Sequence, residues 1–142
     1  MKNEKRLARI ITLKKRQEDL RRADVAGAAA RVREVEEVLD ERRRHEEMLH
    51  ASIASTRDVD ARDLQASAAL LAEHRRSLVA VTEALRARRE EHDAKTVALS
   101  DVARGRYALE RRQRELRDAR LERDERVEQE ALDDSARRGG RR

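Results

Sequence analysis

The chain has 142 residues, of which 46% are charged and 1% aromatic, and its formal net charge is +5. It contains no proline, cysteine or tryptophan, so disulfides and Cys-ligated metal sites are excluded, and so few aromatic residues cannot fill a thick globular core. Acidic residues alternate with the cations at helical spacing, as in Glu110 and Arg114. Most of the charge is therefore predicted to be solvated helix surface, which argues against a nucleic-acid-binding face.

The first half of the chain predicts a long helix over residues 3–55. Its first portion places Ile10, Leu13 and Leu20 on one face, and a heptad stripe offset by one residue follows. This second stripe contains Val25, Ala28, Val32, Val35, Leu39, Leu49 and Ile53. The offset falls at the small-residue tract 26–30. Two explanations stay open: a thin, adaptable point in the helix, or simply the high helix propensity of alanine.

A polar stretch between residues 52 and 63 predicts a bend at 56–61. Its Ser, Thr and Asp side chains compete with the helix backbone for hydrogen bonds. Asp58 or Asp60 is expected to cap the second helix. A single uninterrupted helix is the alternative, because no residue here strictly forbids one.

The second half predicts a helix over residues 62–136, in which leucine recurs every seven residues from Leu64 to Leu85. A fold near residue 58 sets Leu39 opposite Leu78, so that apolar side chains meet. We therefore predict an all-α fold, an elongated antiparallel two-helix coiled-coil hairpin over residues 1–136 whose second helix is longer than its first, with a disordered tail at 137–142. The predicted seam contains Val25, Val32, Val35, Leu39, Leu64, Leu71, Leu78, Val81, Leu85, Leu99, Val102, Leu109 and Leu116.

No residue pattern indicates catalysis. Glu47 and His50 form a single Glu-x-x-His pair, whereas di-iron bundles need two, and there is no glycine-rich phosphate loop. We expect no enzymatic activity, no cofactor and no metal. His74 and His92 fall on the seam, where polar residues specify register or partner.

Cations are concentrated at the end of the hairpin that is expected to hold both termini. They comprise Lys2, Lys5, Arg6, Arg9, Lys14, Lys15 and Arg16 from the first helix, and Arg106, Arg120 and Arg123 from the seam of the second. Two interpretations stay open: a docking surface for an acidic partner, or long side chains that reach solvent from a thin coiled coil.

Two segments resemble FliJ-like proteins, the family of flagellar FliJ and its injectisome relatives of the YscO kind. They are the opening Lys5–Glu18, which reads KRLARIITLKKRQE, and the closing Tyr107–Asp134. The resemblance implies a non-enzymatic, cytoplasmic component of type III protein export in flagellar biogenesis. Such a protein is a stalk-like coiled coil that engages the hexameric export ATPase and the export gate, helps to handle export chaperones, and is at most peripheral to the inner face of the cell membrane.

Layout and charge then suggest which end of the hairpin contacts which partner. The basic end is expected to bind the ATPase, and the bend end, through Arg42, Arg43, Arg44, Asp58 and Asp60, is expected to contact the gate. The flagellar and injectisome systems are not distinguished. The alternative is a homo-oligomeric structural coiled-coil scaffold protein, and the oligomeric state stays open.

Overall fold

The computed structural model describes residues 2–56 and 60–139, which form two α-helices, α1 (Lys2–Ser55) and α2 (Ala61–Gly139). The predicted helices and their unequal lengths are confirmed. The disordered tail was placed too early, because α2 continues through residues 137–139. Arg137 and Arg138 lie in its last turn, where positive side chains interact favourably with the negative end of the helix dipole. Residues 140–142 lie outside the described residues.

Side-chain hydrogen bonds mark both sides of the bend. The backbone carbonyl of Ser52 accepts a bond from the Thr56 hydroxyl at 3.0 Å, and α1 ends one residue before Thr56. Asp60 caps α2, since its carboxylate accepts a bond from the backbone N–H of Asp63 at 2.8 Å. The uninterrupted helix is therefore wrong and the predicted cap at Asp60 is confirmed. The other predicted cap, Asp58, lies outside the described residues.

The chain divides into two compact units, which we call unit 1 (Met1–Leu20 with Ser100–Arg142) and unit 2 (Arg21–Leu99). Within each unit α1 contacts α2. In unit 1, Lys15 lies 3.5 Å from Glu110 and Glu4 lies 3.3 Å from Arg120. Since the residue number rises along α2 as it falls along α1, the two helices are antiparallel in this unit.

Unit 2 has the same antiparallel pairing. Arg31 lies 3.1 Å from Glu91, and Glu36 lies 2.7 Å from Arg89. Leu39 lines a cleft with Thr82 and Leu85, so the predicted pairing of Leu39 with Leu78 is displaced along α2 by about one to two helical turns.

Most of the predicted seam in unit 2 is buried or half-buried. Leu39 and Leu85 are each 6% exposed. The half-buried members in this unit are Val25, Val32, Val35, Leu71, Leu78, Val81 and Leu99. Leu64 is 55% exposed, so its assignment to the seam is wrong. At this start of α2, the side chains that line the cleft with α1 are those of Asp63, Ala66, Ser67 and Leu70 instead.

In unit 1 the predicted seam residues of α2, namely Val102, Leu109 and Leu116, are half-buried. The prediction for α1 in this unit is wrong. Ile11 and Glu18 are buried at 6% and 4% exposure. The residues expected to pack, Ile10, Leu13 and Leu20, are exposed by 36%, 62% and 69%.

The buried positions of α1 keep one heptad phase along the helix. Ile11, Glu18, Val25, Val32 and Leu39 are spaced seven apart and all are buried or half-buried. The predicted offset at residues 26–30 is therefore absent. It arose because a charged residue occupies the seam at position 18, so the apolar residues beside it suggested a different register.

Candidate partner-binding surface

Arg106 lies at the centre of a charged cluster between the two helices of unit 1. Its Nε donates to Glu18 at 2.6 Å, and its Nη1 donates to both carboxylate oxygens of Glu110 at 2.9 Å. Its guanidinium carbon lies 4.2 Å from the centre of the Tyr107 ring, within the range of a cation–π contact. Lys15 adds a second cation, 3.5 Å from Glu110.

The cluster is a buried ion pair with its polar groups satisfied. The side chains of Arg106 and Glu18 are 12% and 6% exposed. The bonds from Glu18 and Glu110 raise the pKa of Arg106 above its ordinary value, and the bonds from Arg106, with a smaller contribution from Lys15, lower the pKa of Glu110. Removing Arg106 would take the cross-seam counter-charge away from the buried carboxylate of Glu18. The structure therefore assigns Arg106 to the pairing of α1 with α2, and we exclude it from the docking surface.

Three further cations of the predicted docking surface also make contacts within unit 1. Arg120 pairs with Glu4, Lys15 with Glu110, and the amine of Lys14 donates to Gln17 at 3.2 Å. All three contacts involve side chains that are exposed or at the edge of the seam, where the two ion pairs add little to stability. These cations could exchange their present partners for a binding protein at small cost.

The remaining cations of α1 in unit 1 share a face with exposed apolar residues. We call this the α1 outer face; it consists of Arg6, Arg9, Ile10, Leu13, Arg16 and Leu20, all of them exposed. Spacings of three, four and seven residues place these side chains on one side of the helix. The face thus combines three positive charges with three apolar side chains. Lys5 and Arg123 are exposed too. Lys2 lies in α1, but its side chain is outside the described part of the chain.

A cleft of about 470 Å³ in unit 1 places two arginines that were not predicted in the docking surface, Arg114 and Arg117, beside the predicted Arg120. It is lined by Arg114, Arg117 and Arg120 of α2 together with Glu4 of α1. The sequence does contain a signal for this cluster, because arginines three residues apart lie on the same side of a helix. It was missed because the prediction followed the apolar stripe, which lies elsewhere on α2. The cleft shows that positive charge in unit 1 extends onto α2 beyond the residues predicted.

In unit 2 the cations that interrupt the seam converge on a carboxylate. Glu91 accepts bonds from Lys95 at 2.8 Å and from Arg88 and Arg31 at 3.1 Å each. The bonds from Lys95 and then Arg88 lower the pKa of Glu91 to about 2. Glu91 was missed at the sequence level because it lies beside the heptad seam. The cations around it are paired within unit 2.

His74 is the buried polar residue of the unit 2 seam, at 7% exposure. Its Nε2 lies 2.8 Å from the backbone carbonyl of Arg42, so this nitrogen carries the proton and donates it. The carbonyl has two lone pairs and can accept this bond besides its helical one. His92 is half-buried. The predicted seam positions of both histidines are confirmed.

The residues predicted at the bend end lie in unit 2. The guanidinium of Arg42 donates to the hydroxyl of Ser77 on α2, Arg44 donates to the carbonyl of Asp40 at 3.4 Å, and Arg43 is exposed. A cleft of about 340 Å³ lies nearby, with Leu49, Ile53, Leu70 and Thr56 among its lining residues. Asp60 is occupied in capping α2.

The described residues contain no group of three or more His, Asp or Glu side chains arranged to hold a metal ion. Within the same ranges, neither helix has an apolar stretch that could cross a bilayer. No protein-family model, curated protein or solved structure matches the chain.

Proposed function

We propose that the chain is a non-enzymatic component of type III protein export, in flagellar biogenesis, and that it binds the hexameric export ATPase through unit 1. The proposal comes from the resemblance to FliJ-like proteins. The observation that supports it best is the α1 outer face, which keeps three arginines and three apolar side chains exposed beside a longer second helix.

The chemistry of this face suits a protein partner. The exposed apolar residues, such as Leu13 and Leu20, supply area that is removed from water on binding. The arginines around them can form bidentate bonds with carboxylates of the partner. A patch that combines apolar side chains with arginine has the composition found at the energetic centres of protein interfaces.

The second part of the proposal concerns unit 2. We propose that its bend end, with Arg42 to Arg44 and the cleft lined by Leu49, Ile53 and Leu70, contacts the export gate. Handling of export chaperones belongs to the same proposal. Both contacts would take place at the cytoplasmic face of the membrane.

A binding titration tests the ATPase contact. We expect the purified chain to bind the export ATPase of the same cell, and the triple substitution of Arg6, Arg9 and Arg16 by glutamate to weaken binding at least ~100-fold, because charge reversal at an interface is repulsive. The matched control replaces three exposed arginines of unit 2, Arg33, Arg62 and Arg75, by glutamate and should bind like the unmodified chain. Equal binding by the two variants, with unchanged helicity, would remove unit 1 from the contact.

A further inference from the structure

The last part of α2 extends beyond the start of α1. Glu4, near the beginning of α1, pairs with Arg120, and α2 continues to Gly139. Every residue from 121 to 138 is exposed. Glu4 shares a cleft with Leu121 and Asp124, and no residue from there to 138 is buried or half-buried.

One side of this segment is apolar and acidic. We call it the α2 terminal face; it consists of Leu121, Asp124, Glu125, Glu128 and Leu132. At about 100° per residue these five side chains lie on one side of the helix, and the arginines at 123 and 126 fall on the other side. Leu121 and Leu132 are 52% and 68% exposed. Three negative charges accompany the two leucines.

The α2 terminal face and the α1 outer face are complementary. Both lie in unit 1, and both carry exposed leucines flanked by three charges of one sign, which are positive on α1 and negative on α2. From Arg6 to Leu20 the α1 outer face extends about 21 Å, and from Leu121 to Leu132 the α2 terminal face extends about 16 Å, at the rise of an α-helix. Leucines spaced along two such helices can interdigitate while the flanking charges pair.

The two faces cannot meet within one molecule, because α2 is one continuous helix to Gly139 and cannot fold back onto α1. We propose that the α1 outer face of one copy of this chain binds the α2 terminal face of a second copy. If each copy offers both faces to the other, the contact occurs twice and closes a dimer about a two-fold axis. This inference does not rest on the proposed role in export, although the second copy and the ATPase would compete for the α1 outer face.

Sedimentation of the purified full chain tests the proposal with two charge-reversed variants. The first carries Arg9→Glu and Arg16→Glu, and the second carries Glu125→Arg and Glu128→Arg. We expect the unmodified chain to convert from monomer to dimer as its concentration rises, and to do so less at high salt, because exposed charges are screened. Each variant alone should associate at least ~10-fold more weakly, since it brings like charges together.

Mixing the two variants is the experiment that tests the pairing of the two faces most directly. In the mixture the acidic α1 outer face of the first meets the basic terminal face of the second, and the unaltered faces meet as before, so a mixed dimer should form with close to the original affinity. A control with Arg33→Glu and Arg75→Glu in unit 2 should dimerise like the unmodified chain. A monomer at all concentrations, unaltered dimerisation of the variants, or a mixture that stays monomeric would each overturn the proposal. Circular dichroism must show equal helicity throughout.

Discussion

The leucines at positions 64 and 85 belong to one heptad series, yet the structure gives them different surroundings. Leu85 is 6% exposed and Leu64 is 55% exposed. Truncating a buried leucine to alanine costs about 2–5 kcal/mol. We expect the lower part of that range for Leu85→Ala, about 2–3 kcal/mol, because a seam of two helices covers each side chain from few directions. For Leu64→Ala we expect less than about 1 kcal/mol, since the residue buries about half its surface and alanine is the better helix former.

Thermal unfolding followed by far-ultraviolet circular dichroism measures the difference. For a chain of this length, a loss of 1 kcal/mol lowers Tm by about 3–4 °C. Leu85→Ala should therefore lower Tm by about 6–12 °C and Leu64→Ala by less than about 4 °C. Equal losses, or a larger loss for Leu64, would refute the assignment of Leu64 to a position outside the seam.

Three further substitutions test other parts of the structure. Asp60→Ala should cost about 1 kcal/mol in urea unfolding, because it removes the cap of α2, whereas Asp60→Asn should keep most of the stability; equal losses would contradict the capping role. Gly105→Ala should stabilise by about 0.5–1 kcal/mol, since a methyl group there meets no atom within 4 Å; a loss of stability would contradict the open space. Glu91, with a folded pKa of about 2 against an ordinary 4.5, stabilises the fold above pH 4.5, and this contribution is lost as pH falls towards 2. Glu91→Gln should therefore flatten the fall of Tm over that range, and an unchanged slope would contradict it.

The two helices were predictable because their signals are local and repeated. A heptad period over many turns indicates a paired helix wherever it occurs, and the Ser, Thr and Asp residues at the bend end one helix and cap the next. Proline is absent, so no other position competes for the break. These features are properties of neighbouring residues and needed no tertiary information.

The register of α1 in unit 1 was not predictable in the same way. Glu18 is buried because Arg106, distant in sequence, supplies its counter-charge at 2.6 Å. A reading based on hydropathy treats Glu18 as surface and assigns the seam to Leu13 and Leu20, which are exposed. Because Arg106 is paired with Glu18 across the seam, it is not part of the docking surface in which the sequence pattern placed it. Both the burial of Glu18 and the pairing of Arg106 could be predicted only by knowing which residue lies opposite on the other helix.

The leucines that misled the register prediction belong to the proposed docking surface. Leu13 and Leu20 are exposed with Arg9 and Arg16 beside them. In an ordinary coiled-coil surface these positions would be polar, because exposed apolar side chains on a helix contribute nothing to its solubility. Their presence together with the arginines is the reason for assigning the partner contact to this face.

Site-specific crosslinking tests that assignment most directly. A photoreactive amino acid is placed at position 13 in the α1 outer face and, as a matched control, at position 79, where Val79 of unit 2 is also 62% exposed. We expect the residue at position 13 to crosslink to the hexameric export ATPase when the two proteins are mixed, and the residue at position 79 not to. Crosslinking at position 79 with none at position 13, or none at either position, would contradict the proposed contact.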